Sequence, residues 1–178
     1  MKQVINRGRS IGWLLMLLGA WGAVIPFVGP YFGYAFTPDK QWAYTSGRLW
    51  LSIVPGAVAF VGGLLVLASD RIAALGALLA ALGGAWFVLG QSVVAEAFSG
   101  HSISSGLPVT ASGAMFGPAS MKFLEGLGFF YGLGVVIMFF AALAMGLAIS
   151  ASRATARADR DHPPVVPADT EDVFHPAY

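Results

Sequence analysis

The chain has 178 residues, 57% of them hydrophobic and only 11% charged, with a mean hydropathy of +0.72. A soluble domain carries about 25% charged residues, so an ordinary water-soluble surface is excluded. The net charge of +1 gives no support to a nucleic-acid partner, because the basic residues border the apolar runs; the absence of cysteine removes disulfides, thiolate metal sites and a cysteine nucleophile.

Charge is missing from Ile11 to Phe36, Leu49 to Ser69, Ile72 to Ala95 and Gly126 to Ser152. Roughly 20 apolar residues suffice for a helix to cross a bilayer core, and in hydrocarbon a helix satisfies its own backbone groups. The fold expected is an all-α integral membrane protein with four transmembrane helices, over about 11–36, 49–69, 72–95 and 123–152, set as two antiparallel hairpins. Residues 1–152 form this domain, and residues 153–178 form a basic collar and a Pro-rich acidic tail. Lys and Arg distribution sets orientation. Seven (Lys2, Arg7, Arg9, Arg71, Arg153, Arg157, Arg160) fall on the side of the termini and three (Lys40, Arg48, Lys122) on the other. Both termini are thus expected in the cytoplasm, and the Ala- and Gly-rich composition suggests a bacterial inner membrane.

The first run follows basic Lys2, Arg7 and Arg9, as a signal peptide does, but it continues through Ile25, Phe27, Val28, Tyr31 and Phe32. That length favours an uncleaved helix. Pro26 and Pro30 are expected to kink or end it. Tyr31, Phe32, Tyr34 and Phe36, with Trp42, Tyr44 and Trp50 across the loop, make an aromatic belt. The second run carries another kink signal in Pro55–Gly56, and the short Ser69–Arg71 turn makes helices two and three antiparallel neighbours, with Ser69 or Asp70 as the N-cap of helix three.

Helix three places Ala73, Ala77, Ala80 and Gly84 on one face, and helix four offers Gly128 and Gly132 in GxxxG spacing. Small residues let helices approach closely in lipid, so these are expected packing seams, within the chain or against a partner. The tripeptide GAW occurs at Gly19–Trp21 and again at Gly84–Trp86, a faint sign of duplication.

Between helices three and four lies a loop, residues 96–122, rich in Gly and Ser yet carrying Ile103, Leu107, Val109, Met115 and Phe116. It is expected to be an ordered cap or contact surface on the extracytoplasmic side. Arg48, Gln91, Glu96, His101, Lys122 and Glu125 form a candidate polar cluster at the same rim. Its bland role is to pin the loop; its sharp role is a shallow cation or proton site with His101 sensing pH. Beyond Asp161, four prolines and Asp169, Glu171 and Asp172 argue for a disordered tail, whose Val173, Phe174 and Tyr178 could dock on a cytoplasmic partner.

No HExxH, GxSxG, P-loop or dinucleotide fingerprint is present. No His lies in a predicted helix, and no ionisable residue lies near the middle of one, where pumps and coupled transporters keep them. No cofactor, metal or catalytic residue is therefore expected. The sequence points to a non-enzymatic accessory, scaffold or assembly subunit contacting lipid and other membrane subunits or itself. The alternative is a small oligomeric transporter or channel with a path lined by Ser52, Gln91 and Ser92.

Overall fold

The computed structural model of the protein describes residues 2–32, 42, 44–97, 128 and 131–161. All regular structure among them is helical. Four helices are long and apolar enough to cross a membrane. We label them α1 (Lys2–Val28), α2 (Ser46–Ala68), α3 (Ala73–Ala97) and α4 (Gly132–Asp161).

Helix boundaries depart from the limits of the charge-free runs for identifiable reasons. Pro26 lies within α1, two residues before its end, and a 3₁₀ turn (Gly29–Phe32) containing Pro30 follows. Proline there withdraws an N–H that the last α-turn would have used. Helix α2 starts earlier than expected because Thr45, extended at φ −137° and ψ 155°, caps it: its Oγ1 accepts the Arg48 N–H at 3.2 Å. Ser69 acts differently from the expected helix cap. Its Oγ accepts the Arg71 N–H at 3.3 Å and its carbonyl accepts the Ile72 N–H at 3.2 Å, tightening a turn before α3 begins at Ala73. Helix α4 continues through Arg153 and Arg157 to Asp161, so the basic collar is helical. Ala and Arg are strong helix formers, and hydroxyls of Ser150, Ser152 and Thr155 bond back to carbonyls four residues earlier.

The packing is governed by α2, which lies between α1 and α3. Two adjacent glycines serve its two neighbours. A Cβ on Gly63 would lie 2.6 Å from the Met16 nitrogen in α1, and one on Gly62 would lie 2.6 Å from the Ala80 nitrogen and Gly76 oxygen in α3. Seven residues earlier Pro55–Gly56 repeats the arrangement, with Gly56 against Ala23 and Gly19, and the Pro55 carbonyl against Gly83. Spacing of seven residues along a shared seam is the left-handed coiled-coil period. It produces crossings at which backbones touch.

The candidate seams of helix three are covered within the chain. Ala77 and Ala80 are 0% exposed, Ala73 is nearly so, and Gly84 is buried against α4, where its Cβ would meet the Gly134 oxygen at 2.8 Å. The close partner on α4 is therefore Gly134. Gly132 is half-buried, and Gly128 is exposed with nothing within 4 Å of a Cβ. Both GAW glycines occupy equivalent crossings, Gly19 against Gly56 of the next helix and Gly84 against Gly134 of the next.

The end of the bundle that holds Phe32, Thr45, Ala97 and Gly132 is termed the loop end. The 69–72 turn, the start of α1 and the close of α4 lie at the other, the terminal end.

Candidate functional site: a buried arginine at the loop end

A π-helical turn, Leu49–Ile53, interrupts α2 one turn before Pro55. The Val54 N–H bonds to the Leu49 carbonyl, five residues back. In the same register the Trp50 carbonyl would look to residue 55, and proline has no N–H to give. That carbonyl is instead met from another helix: the Trp86 indole Nε1–H of α3 donates to it at 2.9 Å. The bond gives the carbonyl that Pro55 leaves open a partner from the next helix, which accounts for the π turn and for the placing of Trp86. Wide turns of this kind recur at functional sites.

Arg48 and Ser52 flank the turn, and both are 0% exposed. Arg48 is the largest fully buried side chain of the described protein. Its position is unfavourable twice over. Desolvating a guanidinium costs several kcal/mol before any partner is counted, and a cation in the first turn of a helix opposes the helix dipole. Among its contacts, the guanidinium carbon stands 5.9 Å from the centroid of the Phe27 ring in α1, within cation–π reach. The Phe27 ring also stacks on the Trp42 indole, centroids 5.9 Å apart at 27°. Trp42 adopts φ 55°, a left-handed conformation that L-residues enter at a cost, held here against Phe27. Beneath Arg48 the Ser52 hydroxyl is buried with no hydrogen-bond partner. Pro26, Leu51 and Pro55 are likewise fully buried.

Of the six residues of the expected polar cluster, Arg48 is placed by the structure, and it is buried inside the bundle instead of lying on an exposed rim. The α2–α3 register, continued from the Gly62–Ala80 and Ala59–Gly83 contacts, brings the backbone of Gln91 level with Arg48 and sets Glu96 beyond it toward the loop end. The side chains of Gln91, Ser92 and Glu96, and His101, Lys122 and Glu125 entirely, lie outside the described residues. Among the described residues no three His, Cys, Asp or Glu side chains come together.

Phe27, Thr45, Trp50 and Trp86 belong to this site although sequence reasoning gave them no part in it. For Trp50 and Trp86 the one available signal is Pro55, which announces an orphaned carbonyl a turn upstream without naming its donor. Comparisons with protein-family models, with curated proteins and with solved structures find no match to this chain.

Proposed function

We propose that the protein is an integral membrane protein whose four helices form two antiparallel transmembrane hairpins, and that it is a non-enzymatic accessory or scaffold subunit of a larger membrane complex. The observation that carries this reading is the backbone contact at the α1–α2 and α2–α3 crossings. Helices in such contact leave no room for a solute between them, so the surfaces able to work are the loop end and the faces of α4. The lysine and arginine balance supports termini in the cytoplasm of a bacterial cell, with the 96–122 loop outside. The cysteine-free sequence makes single-cysteine labelling from either side a direct check of that orientation.

Mild-detergent purification of the tagged protein, with mass spectrometry of the product, tests the function. Stoichiometric recovery of other membrane proteins is expected. Gly128→Leu is expected to abolish it without unfolding the chain, because a side chain there meets nothing within 4 Å. A homogeneous homo-oligomer with no partner would refute the accessory role and favour the second reading, a small oligomeric transporter. One observation speaks for that alternative: Arg48, with the unpartnered Ser52 hydroxyl below it, is an ionisable group inside the protein at the membrane boundary.

A further inference from the structure

At the terminal end the bundle opens. Helices α1 and α4 are in contact nearer the loop end, where a Cβ on Gly22 would meet Leu133 at 3.1 Å. Toward the other end Gly8 and Arg9 of α1 and Ala144, Leu147, Ala148 and Ala151 of α4 line one open groove. The groove has a volume of about 410 Å³, and Ser69 and Asp70 of the 69–72 turn also line it. Its apolar lining includes Val66, Leu67, Ala144 and Leu147, and its polar lining is Arg9, Ser69 and Asp70.

Three features of this groove specify an occupant. First, Arg9 and Asp70 line the same cavity, yet among the described residues they form no ion pair with one another. The lining therefore presents one positive and one negative group, each open to a ligand. Second, the Ser69 oxygen already accepts from the Arg71 N–H, which leaves its hydroxyl proton to donate to an anion. Third, Arg9 also borders a second groove with Ser10, Trp13 and Leu67. Trp13 is 58% exposed one turn along α1, and tryptophans at helix ends mark the headgroup level of a bilayer.

We propose that this groove binds a membrane phospholipid whose headgroup carries both a phosphate and a primary ammonium, as phosphatidylethanolamine does. The inference rests on the transmembrane reading given above. The phosphate lies against Arg9 and the Ser69 hydroxyl, and the ammonium donates to Asp70. An acyl chain runs along Leu67 and Leu147. Phosphatidylcholine brings a cation to Asp70 but no N–H to donate, and phosphatidylglycerol offers no cation, so neither gives Asp70 a charge-assisted hydrogen bond from an ammonium. Basic pockets between transmembrane helices are known headgroup sites; the added carboxylate turns this one toward a zwitterion.

Native mass spectrometry of the full chain released from nanodiscs holding equal parts phosphatidylethanolamine, phosphatidylcholine and phosphatidylglycerol tests the assignment. One retained phosphatidylethanolamine is expected, enriched about tenfold over phosphatidylcholine, the worth of one charge-assisted hydrogen bond. Asp70→Asn is expected to bring that ratio near one, while Arg9→Gln lowers retention of all three lipids. Both residues are exposed, so the fold tolerates the changes. Equal retention of the three lipids, or enrichment of phosphatidylglycerol, overturns the proposal. So does lipid uptake that appears only after residues 162–178 are removed, which would make the acidic tail the groove's occupant. A chain that does not enter nanodiscs at all overturns the transmembrane reading with it, whereas entry without selectivity overturns the lipid site alone.

Discussion

Replacing Gly62 by alanine tests the backbone contact on which the fold is built. The added Cβ would lie 2.6 Å from both the Ala80 nitrogen and the Gly76 oxygen, whereas ordinary contact begins at 3.4 Å. Neither neighbour is a flexible side chain, so α2 and α3 must separate by about 0.8 Å along the crossing. A gap of about 0.5–1 Å forfeits a quarter to a half of each dispersion contact it opens, and overpacking costs typically ~1–3 kcal/mol. Alanine's higher helix propensity returns at most about 1 kcal/mol. Gly146 supplies the control, since a Cβ there meets nothing within 4 Å and only the propensity gain applies. Gly62→Ala should therefore be destabilised relative to Gly146→Ala by roughly 1–3 kcal/mol. Reversible unfolding in mixed detergent micelles, followed by circular dichroism, measures the difference. If the two variants unfold together, the backbone contact is not what holds α2 to α3.

Two further outcomes are expected. Trp86→Phe removes the donor to the Trp50 carbonyl and should cost about 1–2 kcal/mol. In a Pro55→Ala background the cost should shrink, because residue 55 regains an N–H; a double-mutant cycle with no coupling would show that the indole bond does not compensate for the proline. At the buried site, Arg48→Ala should lose about 2–5 kcal/mol by the cavity it leaves, and Arg48→Met substantially less, while Ser52→Ala should leave thermal stability unchanged or raised, since the hydroxyl it deletes is buried without a partner. Equal losses for the Ala and Met variants of Arg48 would mean that its charge, and not its volume, supports the fold.

Charge-free runs sufficed to count the four helices, because exclusion of ions is a property of composition. They could not set the ends. Thr45 starts α2 by a hydrogen bond to Arg48, and α4 continues past Ser152 because arginine is excluded from hydrocarbon but welcome in a helix. The Ala73, Ala77, Ala80 and Gly84 face was legible from helical spacing, and it is buried. Its mates were not, since Gly19, Gly56 and Gly63 sit on helices whose relative register no local pattern reports. Arg48 was legible as a candidate, but its burial was not: a basic residue beside an apolar run reads as an exposed border. The bond between Trp86 and Trp50 joins residues 36 apart in sequence, and only the assembled fold brings them together.

The tandem glycines of α2 also divide the molecule by its freedom to change. With Gly62 fitted to one neighbour and Gly63 to the other, a displacement of α2 that relieves one crossing closes the other. Helices α1, α2 and α3 therefore fit one another as a single slab. Helix α4 is fitted to it near Gly134, and its last turns beyond Ala151 are exposed. It has the geometry of a lever, with its fulcrum toward the loop end and its long arm ending in the basic residues beyond Ser152.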